Sequence, residues 1–314
     1  MTDANKQTRC GFVAVIGAPN AGKSTLVNAL VGAKVSIVTH KVQTTRSRVR
    51  GVAVDGAAQI VFIDTPGIFA PRRRLDRAMV AAAWEGVEGA DIALLVVDAP
   101  AYLAGEKEKD ASARARADTD AIIDGLAERG AKTLLILNKI DRMARPNLLA
   151  LAETLNARAQ FADTFMISAE TSDGVAGLKA YLAARMPEGP WMYPEDQLSD
   201  ISERLMAAEI TREKLYLRLH QELPYEATVE TTGWKRTKKQ ELRIEQTIFV
   251  ARDSQKGIVL GKGGQTLKAI GAAAREELTH LLGEPVHLFL HVKVREGWAE
   301  EAARLRNIGL DIVD

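Results

Sequence analysis

The sequence predicts a doubly wound α/β domain with a mostly parallel sheet, followed by a smaller α+β domain. Its 314 residues are enough for two domains, since a domain usually takes roughly 100–200 residues. The first part alternates short apolar runs with longer segments rich in alanine and leucine, and a break containing Pro187 and Pro190 separates it from the rest. We therefore expect a first domain over residues 8–187, a linker over 188–198 and a second domain over 199–314.

Five apolar runs of the first part have the length and composition of buried strands. Strands of a parallel sheet are continuously apolar because helices cover both faces of the sheet. The runs lie at 12–16, 60–63, 92–97, 134–137 and 165–167. Helical patterns lie between and after them, at 24–30, 75–88, 118–129, 147–160 and 175–186. This alternation of strand and helix predicts the doubly wound α/β domain.

The second part has a different order of elements. A long helical pattern comes first, then two alternating runs, two helices around a glycine-rich turn, a strand and a final helical stretch. The predicted elements lie at 198–222, 228–232, 242–250, 255–260, 265–282 and 286–294, with the last helix beginning near Trp298. Strands that are adjacent in the chain and helices placed around them predict a compact α+β module.

Composition and charge exclude several classes of protein. The single cysteine, Cys10, cannot form an intrachain disulfide, so a reduced, cytoplasmic setting is the default expectation. Residues 1–9 are polar and lack the apolar centre of a secretory signal, and no segment reaches the roughly 20 apolar residues that a membrane-spanning helix needs. The net charge of +1 argues against a uniformly basic coat, though not against a local basic patch.

The segment from Gly17 to Ser24 predicts a phosphate-binding loop. It follows an apolar strand and opens a helix, which is the context that such a loop requires. Its glycines let the backbone wrap an anion, and the helix N-terminus adds positive potential. We expect Lys23 to reach the phosphates and Ser24 to bind Mg²⁺. The predicted nucleotide contacts are Gly17, Ala18, Pro19, Asn20, Ala21, Gly22, Lys23, Ser24 and Thr25.

Guanine specificity is predicted by Asn138-Lys139-Ile140-Asp141, directly after a predicted strand. The carboxylate of Asp141 can accept hydrogen bonds from N1–H and the exocyclic amine of guanine, whereas adenine would leave it unpaired. We expect the stem of Lys139 to lie along the base and Asn138 to tether the loop. Ser168, Ala169 and Glu170 end the last strand, where a backbone N–H can meet the guanine O6.

Asp64-Thr65-Pro66-Gly67, after another strand, completes the set. Asp64 is expected to hold Mg²⁺ through water, and the N–H of Gly67 to sense the γ-phosphate. In small GTPases a glutamine directly after this turn orients the attacking water; here the position is Ile68, which is included among the nucleotide contacts but cannot orient water. We therefore expect a GTPase with slow intrinsic hydrolysis. Arg72 to Arg74 are more simply a solvated basic loop than catalytic fingers.

The second part contains Ile258-Val259-Leu260-Gly261-Lys262-Gly263-Gly264 between two helices. A Gly-x-x-Gly loop allows close approach of a nucleic-acid backbone in KH domains, while flanking aliphatic residues face the bases. The predicted RNA contacts are Ile258, Val259, Gly261, Lys262, Gly263 and Gly264. The basic residues between Lys235 and Lys239 fit a phosphate contact or a soluble turn equally well. His287 and His291 lack metal-ligating companions, so no zinc is expected.

One charged segment, from Gly105 to Arg116, fits none of these predicted elements. Its charges balance in sign and it has no apolar stripe. A solvated loop or a charged extension of the next helix is the simplest interpretation. A basic contact through Arg114 and Arg116 is the alternative.

Together these motifs resemble the bacterial Era family, in which a P-loop GTPase domain precedes a C-terminal type II KH domain. The resemblance covers nearly the whole chain and includes Gln43-Thr44-Thr45-Arg46, Arg212-Glu213-Lys214, Glu222-Leu223-Pro224-Tyr225 and the segment 292–298. It implies that Thr45, rather than Thr44, joins Ser24 and Asp64 in binding Mg²⁺. It also implies that Asn20 can hold K⁺, so that the catalytic set would be Lys23, Thr45, Gly67 and Asn20.

The resemblance further implies binding to the 3′ end of 16S rRNA, a role in assembly of the 30S subunit, and tighter RNA binding in the GTP form. A cytoplasmic monomer is expected, with peripheral association with the inner membrane as a family expectation only. Two alternatives stay open. One is a GTPase of large-subunit assembly or tRNA modification, and the other is an RNA-binding module in which nucleotide binding is only regulatory.

Overall fold

The computed structural model describes residues 7–41, 44–105, 111–219 and 223–310. These residues form two compact units. The first contains the described residues up to 36 and from 45 to 200, and the second contains those from 37 to 44 and from 201 onwards. Gln43, Glu222 and residues 106–110, which belong to predicted motifs, lie outside the described part. Among the described residues no helix combines the length and apolar character needed to cross a bilayer.

The first unit, in its described residues, is built on a six-stranded sheet in the order β2-β3-β1-β4-β5-β6. All neighbouring pairs are parallel except β2 and β3, which are antiparallel. The strands are β1 Arg9–Ile16, β2 Val49–Asp55, β3 Ala58–Asp64, β4 Ile92–Asp98, β5 Thr133–Asn138 and β6 Thr164–Met166. The predicted doubly wound architecture is confirmed, since this mostly parallel sheet carries a helical core on each face. The carboxyl ends of its parallel strands share one edge of the sheet.

Helices cover both faces of the sheet. Those of the first unit are α1 Lys23–Val31, α2 Arg74–Glu88, α3 Ala99–Ala104, α4 Ala111–Arg129, α5 Arg145–Arg158 and α6 Val175–Ala183. Leu26 of α1 and Leu178 of α6 pack in one core, while Ile122 of α4 and Leu151 of α5 pack in the other. Each such fully buried side chain contributes about 1.5–3 kcal/mol through the hydrophobic effect.

Two elements of this unit were not predicted. The strand β2 lies at the edge of the sheet and its sequence is interrupted by Arg50 and Gly51, so it lacks the continuous apolar run of a central strand. The short helix α3 follows β4 directly, and Pro100 lies in its first turn. Furthermore, α4 begins at Ala111, well before the predicted start at Asp118, so Arg114 and Arg116 of the charged segment lie on a helix.

The predicted linker is held against the edge of the first unit by Gln59. This side chain is fully buried. Its Oε1 accepts hydrogen bonds from the backbone N–H groups of Met192 (2.9 Å) and Tyr193 (3.0 Å), and its Nε2 donates to the carbonyl of Tyr193 (2.8 Å). Trp191 adds a bond from its Nε1 to the carbonyl of Ala57 (3.0 Å). The whole predicted linker, and the chain as far as residue 200, therefore belongs to the first unit.

Replacing Gln59 with leucine is expected to lower the free energy of unfolding by about 2–3 kcal/mol, because two backbone N–H groups lose their acceptor. Limited proteolysis within residues 187–200 should become faster, as measured by mass spectrometry of the fragments. Gln160→Leu, at an exposed position of the same unit, is the matched control and should change neither quantity. Unchanged cleavage in Gln59→Leu would show that this side chain does not hold the segment.

The second unit has a three-stranded sheet in its described residues, in the order β7-β8-β9. The strand β8 is antiparallel to β7 and parallel to β9. Its elements are α7 Glu203–Arg218, β7 Ala227–Arg236, β8 Leu242–Val250, α8 Asp253–Leu260, α9 Gln265–Leu282, β9 Val286–Val294 and α10 Ala302–Asn307. The helix–strand–strand–helix–helix–strand order of a type II KH domain is confirmed. The first helix is shorter than predicted, at 203–218 rather than 198–222.

The described residues 37–41 and 44 group with this second unit, although they were predicted to lie in the first domain. The reason is their contact with α7. Glu213 accepts a hydrogen bond from the N–H of Val38 at 2.9 Å, and the buried guanidinium of Arg212 donates to the carbonyl of Thr44. Both α7 residues belong to the Arg-Glu-Lys motif that the sequence singled out.

Candidate functional site

The loop between β1 and α1 has the backbone geometry of an anion cradle. Gly17 and Gly22 have φ angles of 154° and 95°, and Asn20 has a φ of 63°. A Cβ at Gly17 would lie 2.3 Å from the carbonyl oxygen of Val96, and one at Gly22 would lie 2.3 Å from Nδ2 of Asn138. No described side chain caps the N-terminus of α1, so its first N–H groups remain available to a ligand, and the helix dipole favours an anion there.

Lys23 is buried at the start of α1. Its ammonium donates to the carbonyl oxygens of Gly17 (3.1 Å) and Ala18 (3.0 Å). Burial lowers the pKa of Lys23 to about 8, while the carboxylate of Asp64 acts in the opposite direction. The loop carbonyls thus hold the ammonium of Lys23 at the cradle, where it can pair with the negative charge of a bound anion.

Ser24, Thr45 and Asp64 converge on one point. The Ser24 hydroxyl donates to Oδ2 of Asp64 at 2.7 Å, Thr45 Oγ1 lies 2.8 Å from Ser24 Oγ, and Thr45 Oγ1 lies 3.4 Å from Asp64 Oδ2. The other carboxylate oxygen of Asp64, Oδ1, is buried and accepts no hydrogen bond among the described residues. Burial raises the pKa of Asp64, and the Ser24 hydroxyl opposes this.

The turn after β3 is anchored through Thr65 and Ile68. The Thr65 hydroxyl donates to the carbonyl of Val15 at 2.8 Å, and the N–H of Ile68 donates to the carbonyl of Gly17 at 3.2 Å. The side chain of Ile68 packs in the core. Both the N–H and the side chain of Ile68, a predicted nucleotide contact, therefore already have partners within the protein. A Cβ at Gly67 would lie 3.0 Å from Pro19, which places this glycine against the phosphate loop.

Asn138 joins three loops. Its Nδ2 donates to the carbonyl of Ala21 at 2.8 Å, and its Oδ1 accepts a hydrogen bond from the N–H of Ala169 at 3.0 Å. The side chain is buried. The tether predicted for this residue therefore connects the phosphate loop, the Asn-Lys-x-Asp loop and the Ser-Ala-Glu loop.

Asp141 lies in a 3-10 helix, Ile140–Arg142, directly after Lys139. The Ser168 hydroxyl, which hydrogen-bonds to the carboxylate, holds the pKa of Asp141 below its usual value. The carboxylate thus stays ionised and able to accept hydrogen bonds. Glu170 is exposed and pairs with Arg142, with Oε2 2.9 Å from Nη2.

The glycine-rich loop of the second unit joins α8 and α9. Its Gly261, Gly263 and Gly264 have φ angles of 71°, 60° and 78°. A Cβ at Gly263 or Gly264 would meet no atom within 4 Å, so the backbone there is open to a ligand. Lys262 is exposed.

Of the two aliphatic residues predicted beside this loop, one faces solvent and the other does not. Ile258 is 56% exposed, whereas Val259 is 0% exposed and packs in the core of the second unit. The prediction of Val259 as an RNA contact is therefore corrected. Adjacent helical residues point in directions about 100° apart, and α8 turns Ile258 outwards and Val259 inwards.

Asp98, the last residue of β4, was not predicted as a site residue. Its Oδ2 lies 2.5 Å from the ammonium of Lys139. A signal was present, because Asp98 ends an apolar strand as Asp64 and Asn138 do. It was not recognised since Asp98 belongs to no motif of known spacing.

Both units are similar to known proteins. A family model described as a 50S ribosome-binding GTPase matches residues 12–139, and a KH-domain model matches residues 222–299. The curated protein GTPase Era of Caulobacter vibrioides is 59% identical over 313 residues, which cover 99% of each chain. GTPase Era of Dinoroseobacter shibae is 58% identical over 100% of this chain and 99% of its own.

Two solved structures are similar over nearly the whole chain, each with a TM-score of 0.87. One is a variant of Aquifex aeolicus Era bound to GDP and AlF4⁻, 36% identical. The other is Era in complex with MgGDPNP and nucleotides 1506–1542 of 16S ribosomal RNA, 35% identical. In both cases the match covers 96% of this chain and 99% of the other.

Proposed function

The chain belongs to the Era family of GTPases and hydrolyses GTP, and we propose that it is a switch that binds the 3′ end of 16S rRNA and assists assembly of the 30S subunit. The observation that carries the nucleotide switch is the convergence of Ser24, Thr45 and Asp64, which come from three separate parts of the sequence. The relative whose structure contains MgGDPNP and nucleotides 1506–1542 of 16S rRNA supports the choice of RNA.

The residues of the first unit fit a guanine nucleotide with Mg²⁺. The donor set of two hydroxyls and a carboxylate consists of the hard oxygen ligands that Mg²⁺ prefers, and the unsatisfied Oδ1 of Asp64 points to a missing partner. Ser24 and Thr45 would hold the ion, with Asp64 acting through water. When bound, Mg²⁺ neutralises charge on the phosphates.

The remaining roles follow from the geometry of the loops. Lys23, at the bottom of the cradle, would exchange its carbonyl partners for phosphate oxygens. The carboxylate of Asp141 would accept the two guanine N–H groups, and the N–H of Ala169, which Asn138 already fixes, lies on the loop that would meet the guanine O6. The N–H of Gly67 would sense the γ-phosphate beside Pro19.

Hydrolysis requires a group that orients the attacking water and positive charge that stabilises the transition state. Ile68 is packed in the core and cannot orient water. We propose that Asn20, whose backbone conformation is left-handed, helps to hold a K⁺ ion that stabilises charge in the transition state. Electrostatic stabilisation of this kind is commonly the largest single contribution to phosphoryl transfer.

GTP turnover is therefore expected to be at least several-fold faster in K⁺ than in Na⁺ at equal ionic strength. The rate of phosphate release measures this. Asn20→Ala should remove the difference between the two cations. Equal turnover by the native protein in the two salts would contradict a role for K⁺.

The second unit offers an RNA-binding loop at Gly261 to Gly264, next to the exposed side chain of Ile258. Lys262 is placed to contact phosphate, and the open backbone at Gly263 and Gly264 permits close approach of a nucleotide. These features support the KH-type mode of recognition, in which the loop clamps the RNA backbone.

Coupling between nucleotide and RNA is supported by Thr44 and Thr45. Thr44 is held by Arg212 of the second unit, and its neighbour Thr45 lies beside Ser24 and Asp64. Order in a segment that depends on the γ-phosphate is a common basis of GTPase switches. We propose that GTP fixes Thr45 and thereby favours the RNA-binding form of the second unit.

The RNA assignment is tested with an oligonucleotide copying the 3′ end of 16S rRNA and a scrambled oligonucleotide of equal composition. Affinities are measured by fluorescence anisotropy at one fixed salt concentration, because phosphate contacts make them salt-dependent. We expect at least tenfold tighter binding of the native order. Equal binding of the two would contradict recognition of this RNA sequence.

A further inference from the structure

The carboxylate of Asp98 has two partners at the carboxyl edge of the first sheet. Its Oδ1 accepts a hydrogen bond from the N–H of Ala101 at 3.0 Å, which caps α3. Its Oδ2 pairs with the ammonium of Lys139 at 2.5 Å. Asp98 lies opposite Asn138 in the register of β4 and β5, so the pairing of these strands places it beside the Asn-Lys-x-Asp loop.

Lys139 connects this carboxylate to the phosphate loop. Its ammonium also donates to the carbonyl oxygen of Asn20 at 2.9 Å. Both residues have left-handed backbones, with φ angles of 65° at Lys139 and 63° at Asn20. Such conformations cost on the order of 1–3 kcal/mol and persist where surrounding contacts hold them. One ammonium thus bridges two strained loops, and Asp98 is the anion that pairs with it.

The pair is well protected from solvent. The side chain of Lys139 is 24% exposed and that of Asp98 is 17% exposed. Screening by water and salt is therefore weaker than for a surface ion pair, and the carboxylate can fix the ammonium in place.

We propose that Asp98 is a positioning residue for guanine recognition. It fixes the ammonium of Lys139, so that the alkyl stem of Lys139 and the adjoining Asp141 are in place before the base arrives. This inference rests on the proposed nucleotide site, and it assigns a role to a residue outside the four nucleotide motifs. Because the base is common to both nucleotides, loss of Asp98 weakens GTP and GDP binding equally.

The test separates this role from the capping of α3. Asp98→Asn keeps an oxygen that can cap the helix, since asparagine is a good N-cap residue, but removes the charge that pairs with Lys139. Asp91→Asn is the matched control: Asp91 precedes the same strand and its carboxylate also accepts a backbone hydrogen bond, from Phe12 at 2.7 Å. GDP dissociation constants and dissociation rates are measured on the full chain, together with thermal unfolding without nucleotide.

We expect Asp98→Asn to weaken GDP and GTP binding about tenfold, mainly through faster dissociation, with little change in unfolding temperature. Asp91→Asn should leave nucleotide binding unchanged. A double-mutant cycle with Lys139→Met, which keeps the stem but removes the ammonium, completes the test. In that background Asp98→Asn should have no further effect, because its action passes through the ammonium.

Three results would overturn the inference. The first is native affinity in Asp98→Asn, and the second is an equal loss of affinity with and without Lys139. The third is a fall in unfolding temperature that accounts for the whole loss, which would assign Asp98 to the helix cap alone. Failure of the native protein to bind GDP would instead overturn the proposed function, and this inference with it.

Discussion

Replacing Lys23 with alanine is expected to slow GTP hydrolysis by on the order of 10²–10³-fold at saturating GTP, the range seen when one preorganised charge-stabilising donor is removed. The ammonium of Lys23 is buried in the cradle and donates to Gly17 and Ala18, so no other cation of the described loop is placed to take over its role. Phosphate release under single-turnover conditions measures the effect.

The control for this prediction is Lys179→Ala. Lys179 belongs to the same unit but lies on α6, which carries no residue of the proposed site. It should hydrolyse GTP at the native rate. Native turnover in Lys23→Ala, with unchanged thermal stability, would contradict the assignment of Lys23 to the phosphates.

Replacing Gly263 with aspartate is expected to weaken RNA binding about tenfold or more while leaving GTP hydrolysis without RNA unchanged. The position has room for a side chain, and aspartate tolerates the left-handed backbone better than most residues, so the fold should be preserved. A negative charge about 6 Å from an RNA phosphate costs roughly 1–2 kcal/mol at an effective dielectric constant near 40, which corresponds to about a tenfold change.

Gly263→Asn is the matched variant, because asparagine has the same shape and backbone tolerance but no charge. It should retain most of the RNA affinity, and the difference between the two variants should shrink as salt concentration rises. An equal loss in both variants would mean that the side chain, rather than its charge, disturbs the loop. No loss in either would place the RNA elsewhere.

Much of the fold could be predicted from the sequence because burial leaves a clear pattern. The strands β8 and β9 and the helix α9 have the bounds that the apolar periodicity predicted, at 242–250, 286–294 and 265–282. The strand β2 escaped prediction since an edge strand needs only one buried face, and α3 since six residues are too few to show a helical period. The grouping of Val38 and Thr44 with the second unit depends on contacts with Arg212 and Glu213 that are distant in sequence.

In the candidate site too, local motifs could be predicted from the sequence, whereas burial and contacts between distant residues could not. Motifs of fixed spacing identified Lys23, Asp64 and Asn138, because a strand followed by a short loop allows few arrangements of the backbone. Spacing alone could not show that Val259 is buried beside the exposed Ile258. Nor could it show that Asp98 meets Lys139, since that pairing follows from the order of strands in the sheet.

Control of RNA binding by the nucleotide state is decided by comparing RNA affinity in the two nucleotide states. The affinity of the full chain for the oligonucleotide copying the 3′ end of 16S rRNA is determined with a non-hydrolysable GTP analogue and again with GDP, at one fixed salt concentration. We expect tighter binding with the analogue, weakened about tenfold or more in Gly263→Asp. Equal affinity in the two nucleotide states would contradict the switch.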